Sequence, residues 1–331
     1  MTDFKGELAA LGAAFLWAVS TVVYERLGRS YPPVVLNLIK GAIALVLILL
    51  TLLIGGEPLP SANPTAFMLL LLSGAIAIGF GDTAYFETLN CLGGRRTLLM
   101  ETLAPPLVAI LALIFLQEKL TMGAWCGIFL TVLGIAWVIT EQIPGSMIRQ
   151  EQLRRGIGFG ILAALTQASG AVLSRAALAQ TTVSPLWATV LRLSAGVLIL
   201  LPLTAFSYRV AFQDSRPVRW GDGEIGRGEE RESSTFERNR VSRQKFGFQW
   251  KDLPSKQVLG AIFFAAFFGT YLAIWLQQTA IKYTAAGIAQ TLAATSPLFV
   301  LPIAVWLGEL VTVRAVLGVL VAIAGIALLL G

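Results

Sequence analysis

The chain has 331 residues, of which 56% are hydrophobic and 13% charged, and its mean hydropathy is +0.75. Soluble chains carry about 25% charged residues, so half of the usual charge is missing and the composition is that of a membrane protein. The absence of histidine excludes His-dependent triads, zinc proteases and His-ligated haem, and the two cysteines, Cys91 and Cys126, form no disulfide framework and read as core thiols.

A bilayer-spanning helix needs about 17 to 25 mostly apolar residues, and the chain has long charge-free runs of that size, such as Leu8–Tyr24, Leu120–Thr140, Gly156–Ser174, Gln257–Ile281 and Tyr283–Gly308. Apolar runs punctuated by turn and charge residues predict helices over 6–26, 33–54, 66–88, 96–117 and 122–141. A second set follows over 155–178, 185–206, 256–281, 286–307 and 313–330. The first span recurs later in the chain, so it reads as a helix of the fold and not as a cleaved signal peptide. Residues 207–256 interrupt the second set with 11 of the 25 Lys/Arg and 8 of the 19 Asp/Glu. That composition buries too little apolar area to fold alone, and it predicts a disordered tether, with a regulatory or lipid-headgroup contact as the alternative. The net charge of +6 does not indicate nucleic acid, because half of it lies in this insert and the rest flanks apolar spans.

The two sets are copies. Gly6, Ala13, Ala14, Ala18 and Val22 recur as Gly156, Ala163, Ala164, Ala168 and Val172, while Pro33 and Lys40 correspond to Pro185 and Arg192. Further on, Pro106, Glu118, Thr121, Gly127 and Gly134 recur as Pro297, Glu309, Thr312, Gly318 and Gly325. Five spans per copy is an odd number, so the second copy enters the membrane from the opposite side. The expected fold is an all-α integral membrane protein of ten transmembrane helices, in two inverted five-helix repeats over 1–145 and 150–331. In such a plan the site lies between the repeats, and access alternates as one rocks against the other.

The paired blocks Pro106-Leu107-Val108 through Glu118-Lys119-Leu120-Thr121 to Gly127 and Gly134, and Pro297-Leu298-Phe299 through Gly308-Glu309 to Gly318 and Gly325, resemble the drug/metabolite transporter superfamily. Within it they resemble the EamA-type ten-helix proteins, and the stretch from Gly81-Asp82 through Gly93 to Arg96 is similar to one bacterial branch. The resemblance covers nearly the whole chain outside 207–256, whose length departs from the family's usual short connection. It implies ten helices in an inner or plasma membrane and transport of small metabolites, often amino acids or their derivatives, frequently as export.

Positive charge sets the expected orientation. The face reached after the first helix carries 19 of the 25 Lys/Arg, and the opposite face carries Lys5, Lys119, Arg175 and Lys282. The positive-inside rule then makes the first face cytoplasmic and puts both ends of the chain outside.

Ionisable residues inside spans are costly and point to function. Lys40, Asp82, Glu87 and Glu101, with Glu25 at the end of the first helix, approach one face and form an acidic layer. Four carboxylates beside one ammonium leave negative charge uncompensated, a setting in which they share a proton. The matching layer of the second copy holds Arg175, Arg192 and Lys282 with Tyr271, Gln277, Gln278 and Gln290, and no carboxylate. The first layer suits a coupling proton or an amino group and the second a carboxylate or phosphate, so a zwitterionic or anionic solute fits best. The competing reading has Lys40 and Arg192 snorkelling to their interfaces and Glu87 and Glu101 pairing with Arg95 or Arg96.

Trp17, Gln167, Tyr85, Trp275 and Gln290 are candidates to line a central cavity. Pro106 and Pro297 sit mid-span, where proline removes a hydrogen bond and bends the helix, as a hinge or as a fixed kink. Glu118 and Glu309 each close a helix three residues before a threonine placed to cap the next, and read as structural. The pairs Gly156/Gly160 and Gly123/Gly127 have small-xxx-small spacing and read as packing. The reading is a secondary transporter moving a small solute across the lipid bilayer, with protons as coupling ion, no metal or other cofactor, and a monomer or homodimer. A membrane-embedded lipid-handling enzyme, for which Asp82 with Glu101 is the carboxylate pair, and a non-transporting scaffold that recruits partners through the charged loop are the rivals.

Overall fold

A computed structural model describes residues 4–28, 30–60, 64–115, 122–139, 149–179, 181–213, 256–284, 286–306 and 312–328. Among them the chain is helical, with ten spans in the predicted order. The first five are Lys5–Gly28, Pro33–Gly55, Pro64–Leu92, Gly94–Phe115 and Met122–Ile139. The second five are Gln150–Leu178, Pro185–Gln213, Lys256–Tyr283, a ninth made of Ala286–Ala293 and Ser296–Trp306, and Val313–Leu328. Eight of the described helices are long and apolar enough to cross a membrane. Glu118, Glu309 and most of the charged insert lie outside the described residues, and the seventh helix runs to Gln213, so the insert's first residues are helical.

The first helix shows why these sequences suit lipid. Ala9, Ala10, Ala13, Ala14 and Ala18 are buried, whereas Leu8, Leu11 and Phe15 are exposed. Small residues face neighbouring helices and large apolar ones face outward, the pattern expected where helices must approach closely and lipid solvates the other face. Cys126 follows the same rule: it is exposed on the outer face of the fifth helix beside Trp125 and Phe129, which corrects its reading as a core thiol.

Packing between the halves is symmetric under their exchange. The first helix lies against the eighth and ninth, the sixth lies against the third and fourth, the second pairs with the seventh, and the fifth with the tenth. Contacts also join the ends that alternation assigns to one side: Lys5 sits 6.0 Å from the Tyr283 ring centre, and Ser184 Oγ donates to Glu57 at 2.6 Å. At the other side Arg155 meets Glu87 at 3.3 Å. Glycines set the closest crossings. A Cβ on Gly156 would lie 2.5 Å from Leu92 and one on Gly160 2.8 Å from Met100, while Gly134 abuts the backbone of Gly318 and Ala322.

Two departures from regular helix shape the interior. The third and eighth spans each contain a π-helical stretch, Ala75–Gly81 and Phe267–Leu272, which frees backbone carbonyls. The fourth and ninth spans are broken at Thr102–Leu103 and Ala294–Thr295 rather than bent. Pro297 cannot donate to the Ala293 carbonyl, and the Ser296 hydroxyl donates to it instead at 2.8 Å. In the fourth span Pro105 and Pro106 remove two successive donors, which explains a break where a single proline predicts a bend.

Candidate functional site

An open-mouthed cavity lies between the broken and π-helical spans. The first helix contributes Trp17, Ser20, Thr21 and Tyr24, one face at helical spacing, and the third contributes Ile78, Asp82, Tyr85 and Phe86 in the same way. Lys40, Leu98, Glu101, Gln167, Arg192, Gln277 and Gln290 come from the second, fourth, sixth, seventh, eighth and ninth helices, together with small residues at the ninth helix's break.

The geometry around Lys40 is fixed by the helix carrying it. One turn earlier, Asn37 donates to the Ile78 carbonyl at 2.8 Å and to Thr83 Oγ1 at 2.9 Å, tying the second helix to the first π-helical stretch. Asp82 follows that stretch directly and takes a charge-assisted hydrogen bond from Lys40 Nζ. The ammonium also stands 5.0 Å from the Phe86 ring centre and 5.9 Å from that of Tyr24, so attraction to the rings adds to the ion pair. Tyr24 in turn donates to the Ala265 carbonyl at 2.9 Å beside the second π-helical stretch, and its hydroxyl lies 3.0 Å from Thr270 Oγ1. The Tyr85 hydroxyl is 2.6 Å from Thr21 Oγ1.

Arg192 is 2% exposed and reaches its site because Gly74 lets the third helix press against its backbone; a Cβ on Gly74 would stand 2.1 Å from the Arg192 carbonyl oxygen. Its guanidinium makes a long hydrogen bond of 3.5 Å to Gln277 Oε1, at the weak limit of such contacts. Arg192 Nε, Gln290 Nε2 and Ser20 Oγ have no hydrogen-bond partner among the described residues. Buried polar atoms without partners in a cavity mark where a ligand or ordered water belongs. Among the described residues no cation lies within ion-pair distance of Glu101. Asp82 lies within electrostatic range of both Glu101 and Arg192.

Eight of the predicted residues, Lys40, Asp82, Glu101, Arg192, Trp17, Gln167, Tyr85 and Gln290, therefore meet in one cavity. Two do not. Glu87 lies one residue beyond the cavity-facing Phe86 and turns to Arg155, and Trp275 packs against Tyr271 at 6.2 Å between ring centres. The acidic and basic layers expected on opposite sides are also redistributed. Arg192 joins Lys40 and Asp82, whereas Arg175 donates to the Ile281 carbonyl at 2.8 Å and Lys282 donates to that of Val183, both at helix ends. Glu25 accepts the Gly94 N–H at 2.9 Å, capping the fourth span. Lys40 and Arg192 do not snorkel, since both are buried within the protein. Tyr24, Phe86, Ser20 and Thr21 were not among the predicted residues; their spacing from Trp17 and Asp82 is the signal that marks them.

The model of the EamA-like transporter family matches residues 4–140 and 245–331, more than half of the chain. The chain belongs to the EamA-like transporter family. As an EamA-like protein it is a multi-pass membrane transporter of the drug/metabolite superfamily, and its solute and its bilayer are its partners. A crystal structure described only as that of a protein superposes on this EamA-like chain with a TM-score of 0.62 at 14% identity, covering 98% of this chain and 95% of that one. That likeness shows a shared fold. No curated protein matches the chain.

Proposed function

We propose that the protein is a secondary transporter that exports a small zwitterionic metabolite, an amino acid or a derivative, by alternating access coupled to protons. The observation that carries this reading is the division of charge in the cavity. Lys40 and Asp82 satisfy each other, while Glu101 and Arg192 line the same cavity without an ion partner among the described residues. A zwitterion supplies the two missing partners, an ammonium and a carboxylate. The aromatic faces of Trp17, Tyr24, Tyr85 and Phe86 give the remaining part of such a solute an apolar surface.

Proton coupling falls to Asp82 and Glu101. The chain has no histidine, and these two carboxylates share the cavity with the solute, so protonation and solute binding compete there. The positive-charge distribution supports an orientation in an inner or plasma membrane with both ends of the chain outside. Flux of a labelled amino-acid mixture into proteoliposomes, with and without a pH gradient, tests the reading. We expect the gradient to accelerate wild-type flux severalfold and to have no effect on Asp82→Asn; gradient-driven flux that persists in Asp82→Asn contradicts the coupling assignment.

A further inference from the structure

The two halves place their cavity cations at matching positions, Lys40 seven residues after Pro33 and Arg192 seven after Pro185. The helices that face these cations also match. The first π-helical stretch ends directly before Asp82 and the second directly before Ala273, so Asp82 and Ala273 hold the same place in their spans. One turn later the matching residues are Phe86 and Gln277. Lys40 Nζ lies 5.0 Å from the Phe86 ring centre and Arg192 Nη1 lies 3.5 Å from Gln277 Oε1, so each cation meets its partner helix in the same register. The carboxylate has no counterpart in the second half. Lys40 has Asp82, and at the matching place in the eighth span the chain has the methyl group of Ala273, which is fully buried.

A buried guanidinium without a directly bonded counter-charge is costly, and Arg192 lines the cavity with its Nε unpartnered among the described residues. We infer that the carboxylate missing at Ala273 is supplied by the solute, which makes Arg192, with the Gln277 and Gln290 amides, the subsite for a solute carboxylate. This rests on the transport reading above and specifies where its anionic end docks. The charge count selects a carboxylate over a phosphate. Lys40 is neutralised by Asp82, which leaves one guanidinium, and a planar carboxylate matches its donors in a bidentate pair.

The test uses the full chain in detergent, its thermal unfolding followed with a mixture of the twenty amino acids and with the matching amino-acid amides, which lack only the carboxylate. We expect the amino acids to raise the wild-type Tm by about 3 °C and the amides to leave it unchanged. Ala273→Asp, which gives Arg192 an internal partner, should abolish the response, whereas the near-isosteric Ala273→Asn should keep it. Should Ala273→Asp not insert, Arg192→Gln against Arg192→Lys decides, with the response lost in the first and weakened in the second. No response in wild type, an equal response to the amides, or a wild-type response in Ala273→Asp or Arg192→Gln overturns the assignment. The transport reading fails separately: absence of flux with this binding pattern intact would refute transport and leave the subsite standing.

Discussion

Lys40 and Asp82 illustrate how a charged pair survives in a membrane interior. Each alone would be costly to desolvate, and together they exchange that cost for a charge-assisted hydrogen bond flanked by two aromatic rings. Removing one member leaves an uncompensated charge, so Asp82→Asn should lower stability by about 3 kcal/mol. The double variant Lys40→Met with Asp82→Leu should recover most of that loss while gradient-driven flux stays absent. Chemical or thermal unfolding of the two variants measures it, and equal stability of Asp82→Asn and wild type would show that the pair carries no such strain. At this scale much of the site was legible. Ionic residues stand out against apolar spans, which is how Lys40, Asp82, Glu101 and Arg192 could be named from the chain alone. Glu87 was misread because five residues from Asp82 carry a side chain off the cavity face, and Tyr24 and Phe86 were missed because aromatic residues are unexceptional in such spans.

The elements that aim these side chains were only half visible in the sequence. Span positions followed from apolar length, and the prolines marked where the fourth and ninth spans are interrupted. The π-helical stretches had no such signature, because their extra residue per turn is stabilised by tertiary partners rather than by local composition. Asn37 is the clearest of these partners, donating to the Ile78 carbonyl and to Thr83. Asn37→Leu is close to isosteric and leaves those acceptors without a donor, which costs about 1–3 kcal/mol. We expect a matching fall in Tm and a loss of flux from displacement of Asp82. Full flux in Asn37→Leu would mean that the π-helical stretch does not position the carboxylate.

At the scale of the whole molecule the duplication was legible, because proline, glycine and glutamate recur at constant offsets. The grouping of the helices was not. The sequence suggests one repeat rocking on the other, yet the first helix packs along the eighth and the sixth along the third, so each tightly packed unit mixes helices of both repeats. Gly269 against Ser20 and Gly170 against Ala77 are close crossings within these units. Between the units, Thr21 and Tyr85 meet toward one side and Arg175 meets the Ile281 carbonyl at the other. On the proposed alternating-access cycle, opening to either side should break one of these contacts. Cysteine pairs in a chain with Cys91 and Cys126 replaced by serine separate the two pictures. A reducible cross-link between Arg175→Cys and Lys282→Cys should stop flux until it is reduced, and one between Glu87→Cys and Arg155→Cys, within a unit, should leave flux intact. Inhibition by the second cross-link would restore the repeat-on-repeat motion.

On the proposed function, a solute passes through the cavity shared by Glu101 and Arg192. The most direct measurement is flux of the labelled amino-acid mixture in proteoliposomes, comparing wild type with Arg192→Gln under an imposed pH gradient. Wild type should show saturable, gradient-accelerated flux, and a correctly inserted Arg192→Gln should show the protein-free rate. Wild-type flux no faster than in protein-free vesicles, or undiminished flux in Arg192→Gln, would contradict it.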